Sequence, residues 1–240
     1  MSDTLSGTWT WLNDPVNWQG VDGVPHRTIE HLYISGSAVL IGAVLALPLA
    51  AWLGHIGRGG SLTVVISNVS RALPTLALLT IFATVSSFGF GNRPTIIALA
   101  VFAVPPLLAN TYVGIREIDP EIKEAAVGMG MSPFQVLLKV ELPLAVPLIA
   151  AGFRTAAVQV VATASLAALV AGGGLGVIIT DGVGNQNQPE VVAGGVLVAA
   201  LALLVEFALA GVQRLVTPAH ERRRLRWKLR RSQTETSVTV

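Results

Sequence analysis

The charged side chains of this chain gather in one interior segment, residues 116–124. Six of these nine residues carry a charge: Arg116, Glu117, Asp119, Glu121, Lys123 and Glu124. The sequence on either side of the segment is almost entirely apolar. Acidic and basic groups packed this closely can form ionic contacts and hydrogen bonds with a soluble partner. We therefore expect this segment to be a docking surface rather than a catalytic centre.

Other residues that could catalyse a reaction or bind a metal are few and scattered. The chain has no cysteine, and the spacing of its four histidines is not that of metal ligands: His26, His31, His55 and His220. The glycine-rich stretch 171–176 lacks the Gly-Lys-Ser/Thr of a phosphate-binding loop and does not follow a strand, so we interpret it as a flexible helix end. The sequence predicts no metal site and no enzymatic activity in this chain.

The charged segment opens a longer stretch, residues 119–143, which predicts two short helices joined at an angle. Asp119 is a good N-cap, and Pro120 suits the first turn of a helix. Gly128 and Gly130 permit a stop or a sharp bend. Ser132 and Pro133 then repeat the start signal, and apolar residues continue the second helix up to Pro143. We call residues 119–143 the elbow.

Composition predicts an all-α membrane protein. Of the 240 residues, 52% are hydrophobic and only 12% are charged, which is too apolar for a soluble domain of this size. Five apolar stretches predict about five transmembrane helices, at residues 32–53, 62–88, 95–112, 144–171 and 191–212. Gly36 and Gly42 in the first stretch would allow close helix contacts. The pair Pro105-Pro106 predicts that the third span packs in the protein interior.

Three charged residues interrupt these apolar stretches: Arg71, Arg154 and Glu206. Arg71, together with Pro74, divides the second stretch, and its main span is expected to begin near residue 72. A charge inside a membrane is costly unless it reaches the headgroups, pairs with another charge or faces a polar interior. These three residues are therefore candidates for buried charges, either structural or along a solute pathway, and any two of them could pair.

The basic residues predict how the chain is oriented in a cell membrane. We divide it into an extracytoplasmic N-terminal segment (1–31), a transmembrane domain (32–215) and a basic tail (216–240). With five spans, twelve of the sixteen Lys and Arg residues fall in the 54–61 turn, the 113–142 region and the C-terminal stretch that starts at Arg214. The excess of Lys and Arg on cytoplasmic loops places the N-terminus outside, and the elbow and C-terminus in the cytoplasm. The tail then faces lipid headgroups, and we expect no nucleic-acid partner.

The elbow also resembles a known family. Glu124-Ala125-Ala126, then Gly130 after three residues, then Val140, any residue and Leu142-Pro143 reproduce the EAA loop of ABC-transporter permeases. The resemblance implies a type I ABC importer permease-like bundle in which the elbow is a coupling helix seated in a cytoplasmic ATPase. The coupling residues would be Glu124, Ala125, Ala126, Gly130, Leu142 and Pro143.

That family also implies partners and cofactors. Two copies of the ATPase subunit would bind ATP and Mg²⁺, and this chain would bind neither. A second permease chain, identical or homologous, would complete the solute pathway. A separate extracytoplasmic solute-binding protein would deliver the solute.

A wider resemblance bears on the solute. Several segments look like those of importers for glycine betaine, choline, carnitine or proline: residues 71–79, 110–115, 128–132 and 171–176. Permeases for methionine and other amino acids share the arginine-proline element and the glycine-rich stretch, so import of an amino acid is the alternative. A channel or membrane scaffold without ATP coupling is a third possibility, and it leaves the spacing from Glu124 to Pro143 unexplained.

Overall fold

The computed structural model describes residues 2–63, 65–66, 73–85 and 91–217, and the regular elements within these ranges are helical. The α-helices are α1 (Ser2–Asn13), α2 (Val24–His55), α3 (Thr75–Thr84), α4 (Asn92–Arg116), α5 (Pro120–Gly128), α6 (Pro133–Val136), α7 (Leu142–Thr163), α8 (Gly176–Gly184) and α9 (Gln188–Val216). A π-helical turn, Leu137–Glu141, joins α6 to α7, and a 3₁₀ segment, Ala164–Val170, follows α7. The predicted all-α class is confirmed.

Four helices in the described part of the chain are long and apolar enough to cross a membrane. They are α2, α4, the continuous helix Pro133–Val170 that contains α6 and α7, and α9. Even the shortest, α4 with 25 residues, extends about 38 Å at 1.5 Å per residue, against a hydrocarbon core of about 30 Å. These helices contain the first, third, fourth and fifth predicted spans.

The second predicted span is described only in part. Helix α3 has 10 residues and extends about 15 Å, which is too short to cross a membrane alone. Residues 64, 67–72 and 86–90 lie outside the described ranges, and with them Arg71 and the expected start of the span at residue 72. Pro74 immediately precedes α3, as expected of a residue that interrupts the apolar stretch.

Several helices extend beyond the apolar stretches that predict them. Helix α2 begins at Val24 instead of residue 32, and α9 begins at Gln188 instead of residue 191. Pro25 and Pro189 occupy the first turns of these helices, where no backbone donor is needed. Polar residues can therefore extend each helix past the apolar part. Helix α8, at residues 176–184, lies between the fourth and fifth apolar stretches and belongs to neither.

Small residues bring the central helices close together. Helix α4 packs against α2 on one side and α7 on the other, and α9 packs against α7. A Cβ atom on Gly42 of α2 would lie 2.7 Å from the Cβ of Ala103 on α4, so the predicted close contact is present. Gly36 is exposed with open space around it, so its predicted contact is absent from the described chain. Pro105 is buried within α4, which agrees with the predicted interior position of the third span.

Candidate functional site

The first half of the elbow forms helix α5 and a tight turn. The Asp119 side chain accepts a hydrogen bond from the Glu121 backbone N–H at 3.0 Å, as expected of an N-cap. At the other end, Gly130 has φ +85°. The backbone N–H groups of Gly130 and Met131 donate to the carbonyls of Val127 and Ala126. This pair of bonds is a Schellman motif, which requires the left-handed conformation that glycine adopts most easily.

The second half of the elbow differs from its predicted form. Ser132 starts α6 with a capping box, in which its hydroxyl accepts from Gln135 N–H and the Gln135 side chain accepts from Ser132 N–H. The chain does not stop at Pro143, however, but continues into α7. The π-helical turn makes this possible: Leu142 N–H donates to Leu137 C=O, five residues back. A shifted ladder of this kind accommodates a proline that cannot donate. The second short helix is thus the end of the fourth span.

The residues of the EAA pattern lie on different sides of the elbow. Glu124 and Ala125 are exposed on α5, whereas Ala126 is buried beneath them. Gly130 is exposed at the turn, Pro143 is exposed and Leu142 is half-buried at the start of α7. Ala126 therefore holds α5 to the bundle, while Glu124, Ala125 and Gly130 face outward.

Large apolar side chains are exposed around the turn of the elbow. The exposed fractions of Val127, Met129 and Phe134 are 59%, 76% and 65%. All three lie within eight residues, next to the exposed carboxylate of Glu124. Exposed apolar side chains accompanied by a charged residue are typical of a protein-binding site. The elbow thus has the composition of a docking surface.

A buried carboxylate, which the sequence analysis missed, lies beneath the elbow. Glu141 is 1% exposed. Its Oε1 lies 2.9 Å from Lys123 Nζ on α5, and its Oε2 accepts a hydrogen bond from His55 Nδ1 on α2 at 2.6 Å. Lys123 Nζ also donates to the Ile115 carbonyl on α4 at 3.0 Å. We call His55, Lys123 and Glu141 the Glu141 cluster. It joins the elbow to the ends of α2 and α4.

Only a weak signal in the sequence could have indicated the Glu141 cluster. Glu141 occupies the position of the EAA pattern where any residue is accepted, so the pattern gives it no weight. Its apolar neighbours Val140 and Leu142 were the one indication that its carboxylate is buried. His55 appeared as an isolated histidine because 86 residues separate it from Glu141.

At the opposite ends of α2 and α4, the glycine-rich stretch closes against α2. We call residues 171–176 the glycine loop. The Glu30 carboxylate on α2 accepts hydrogen bonds from Gly174 N–H at 2.8 Å, from Arg27 at 2.9 Å and from Asn92 at 3.1 Å. Asn92, the first residue of α4, accepts a bond from Gly173 N–H. The interpretation of this stretch as a flexible helix end is therefore wrong.

A buried histidine fixes the same loop. Leu175 N–H donates to His31 Nδ1 at 3.2 Å, and His31 Nε2 lies 2.9 Å from the Val161 carbonyl on α7. Because Nδ1 accepts, Nε2 must carry the hydrogen and donate to Val161. His31 is fully buried. The ring therefore connects α2, α7 and the glycine loop.

Two of the three candidate buried charges lie together on α7 and α9. Arg154 Nε lies 3.3 Å from Glu206 Oε2, and Arg154 Nη1 donates to Gln213 Oε1 at 2.9 Å. These side chains pair, as the sequence allows, but they are only partly buried, since 35% of Arg154 and 34% of Glu206 is exposed. The pair involves α9, which is the least buried of the four long helices.

Comparison with known proteins supplies the functional context of this geometry. Residues 38–221 match the family model described as binding-protein-dependent transport system inner membrane component. The choline transport system permease protein OpuBB of Bacillus subtilis (strain 168) is 40% identical over 195 residues, 81% of this chain and 88% of the relative. The carnitine transport permease protein OpuCB of Listeria monocytogenes is 38% identical over 193 residues, 80% of this chain and 87% of the relative.

The fold is also similar to that of a solved transporter. A chain from an inward facing conformation of the MetNI methionine ABC transporter superposes with a TM-score of 0.71 and is 26% identical in sequence. The alignment covers 86% of this chain and 100% of that one. The fold predicted from the elbow, a type I ABC importer permease-like bundle, is confirmed by this likeness.

Proposed function

This chain belongs to the family of binding-protein-dependent transport system inner membrane components, and we propose that it is the permease subunit of an ATP-driven importer for compatible solutes. Glycine betaine, choline, carnitine and proline are the solutes we consider. The elbow is the part of the chain that receives movement from the ATPase, and the long helices form part of the solute pathway.

The shape of the elbow is the observation that carries this proposal. Glu124 and Gly130 face outward beside the apolar side chains of Val127, Met129 and Phe134. Such a surface suits a groove in a soluble protein. ATP and Mg²⁺ belong to that partner, two copies of an ATPase subunit, and this chain is a translocation subunit rather than an enzyme. In this proposal, closure of the ATPase pair displaces the elbow and changes access to the pathway.

The solute assignment rests on the relatives. The names of the two sequence relatives specify choline and carnitine, at 40% and 38% identity. A further relative, from Bacillus subtilis, is called a glycine betaine/carnitine/choline transport system permease protein and is 39% identical. The methionine transporter shares the fold at 26% identity. These identities favour compatible solutes over methionine as the cargo.

The assembly and orientation follow from the exposed helices and the charge distribution. A second permease chain, identical or homologous, would cover the exposed face of α9 and complete the pathway. An extracytoplasmic binding protein would deliver the solute at the glycine-loop end. The elbow would face the cytoplasm of a cell whose plasma or inner membrane holds the chain. In support, His55 in the 54–61 turn contacts Glu141 of the elbow, so two of the regions that contain the counted Lys and Arg residues share one end of the bundle.

Uptake competition tests the solute assignment. The chain is expressed with its ATPase and binding protein in cells that lack their own uptake of these solutes, and entry of labelled choline and glycine betaine is measured. We expect uptake above the background of cells without the chain, reduced by an excess of unlabelled betaine or choline. Competition by methionine, with none by these two solutes, would contradict the assignment and favour the amino-acid alternative.

A further inference from the structure

We propose that Glu141 is a positioning residue that fixes the elbow to the ends of α2 and α4, so that displacement of the elbow moves both helices together. This inference rests on the proposed function, since it presupposes that the elbow is displaced by a partner. It concerns a residue to which the EAA pattern assigns no role.

The geometry of Glu141 makes it the centre of the connection. Its two carboxylate oxygens each hold a different element: Oε1 contacts Lys123 on α5, and Oε2 accepts from His55 near the C-terminal end of α2. The carboxylate itself projects from the π-helical turn that leads into α7. A buried carboxylate with both oxygens bonded is fixed in position, because a rotation that frees either oxygen leaves buried charge without a partner.

Lys123 extends the connection to α4. Its ammonium group donates to the carbonyl of Ile115 in the last turn of that helix, in addition to its contact with Glu141. The C-terminal end of a helix carries partial negative charge, which favours a cation there. Lys123 is therefore bound both to the end of α4 and to the carboxylate at the start of α7.

Helix α5 has few other attachments to the bundle. Of its nine residues, only Ala126 is buried. The short side chain of Ala126 packs against the bundle, but a methyl group forms no hydrogen bond or ion pair that could fix the orientation of α5. The ion pair between Lys123 and Glu141 gives α5 a directional bond, so a pull on α5 reaches α7 through Glu141 and α4 through Ile115.

Apolar packing surrounds the Glu141 cluster and strengthens it. Ile115, Leu137, Ala51 and Ala145 form a small buried core at this end of the bundle. The ion pair and hydrogen bond therefore lie in a low-dielectric environment, where charged interactions are stronger than at the surface. Glu141, whose carboxylate is buried, is thus bonded to α2 through His55 and connected to α4 through Lys123.

The test compares variants of Glu141 and Lys123 in the reconstituted complex with ATPase and binding protein. Glu141→Gln keeps the shape of the side chain and removes its charge, and Lys123→Met removes the ammonium group. Arg58→Met is the control, because Arg58 is exposed in the 54–61 turn at the same end of the bundle and lies outside the elbow. Solute uptake and ATP hydrolysis are measured on the same vesicles. The thermal unfolding of each variant, and of the double variant, is measured in detergent.

We expect Glu141→Gln and Lys123→Met to assemble with the ATPase and to retain ATP hydrolysis within about threefold, while uptake falls about tenfold or more. Solute moved per ATP hydrolysed should therefore fall, a change that a purely structural role would not produce. The double variant should be no worse than the more impaired single variant, since both remove one interaction. Arg58→Met should behave like the wild type.

Two results would overturn the inference. Glu141→Gln with wild-type uptake would show that the connection is not needed, and equal losses of hydrolysis and uptake would show a structural role alone. A wild-type complex without ATP-driven uptake would instead contradict the proposed function. In that case the unfolding temperatures still decide whether Glu141 and Lys123 act as a pair. If the decrease in unfolding temperature of the double variant equals the sum of the decreases of the single variants, the two residues do not interact and the connection is refuted.

Discussion

Replacing Gly130 by valine is expected to reduce ATP-driven uptake about tenfold or more, with the amount of chain in the membrane unchanged. Gly130 has φ +85°, and a residue with a side chain loses about 1–2 kcal/mol in the left-handed region, more when it is β-branched. The Schellman turn that sets the angle between α5 and α6 would open. The valine would also project from the exposed surface that we propose for ATPase docking. Uptake by vesicles, together with immunoblotting of the membrane fraction, measures both quantities.

Gly128 provides the matched control for Gly130. A Cβ atom at either position would meet open space in the described chain, but only Gly130 has positive φ. Gly128→Ala should therefore retain uptake, while Gly130→Ala should lose part of it through backbone strain alone. Equal uptake in both alanine variants would show that the turn geometry does not matter. Wild-type uptake in Gly130→Val would remove the elbow from the transport mechanism.

Gly176→Ala is expected to lower the free energy of unfolding of the chain, although it adds only one methyl group. Gly176 begins α8 and is buried, and its Cβ would overlap the backbone carbonyl oxygen of Ser165. Because the obstacle is backbone rather than a mobile side chain, the 3₁₀ segment and α8 must separate. Overpacking of this kind costs about 1–3 kcal/mol. The apparent unfolding temperature in detergent should fall by roughly 2–12 °C.

Gly195→Ala is the control for Gly176→Ala. Gly195 is exposed within α9, and a Cβ there meets nothing within 4 Å. Alanine is favoured over glycine in a helix by about 0.8–1 kcal/mol, so this variant should unfold at the same temperature as the wild type or slightly higher. If Gly176→Ala behaved like Gly195→Ala, the close packing of the glycine loop would be refuted.

Local signals in the sequence predict much of the elbow. Asp119-Pro120 and Ser132-Pro133 each specify a helix start, because the capping side chain and the proline act within one turn. Gly130 specifies the turn for the same reason: its conformation is a property of the residue and its nearest neighbours. The presence of the four long helices is predicted too, since length and hydropathy determine it, but α2 begins before its predicted stretch.

Contacts between distant residues could not be predicted in this way. Glu141 and His55 are 86 residues apart, and Glu30 and Gly174 are 144 apart. No periodicity or motif connects such pairs. The glycine loop shows the consequence: glycine permits flexibility and close packing alike, and only the position of Glu30 decides between them. The continuation of the helix through Pro143 could not be predicted either, because the π-helical turn that accommodates this proline involves Leu137 and has no sequence signal of its own.

The two ends of α2 suggest how the bundle stays intact while the elbow moves. At one end, His55 bonds to Glu141 beneath the elbow. At the other end, Glu30 and His31 bond to the glycine loop. Between these ends, small residues such as Gly42 hold α2 close to α4. Helix α2 is thus bonded at both ends and packed along its length, which favours movement as one rigid body.

The most direct test of this account is the ATP dependence of solute uptake by vesicles that contain this chain, its ATPase and its binding protein. We expect labelled glycine betaine or choline to accumulate only when ATP is supplied to the ATPase side, and Glu124→Lys on the elbow to abolish this accumulation. Solute flux that continues without ATP, or that Glu124→Lys leaves unchanged, would contradict it and favour a channel without ATP coupling.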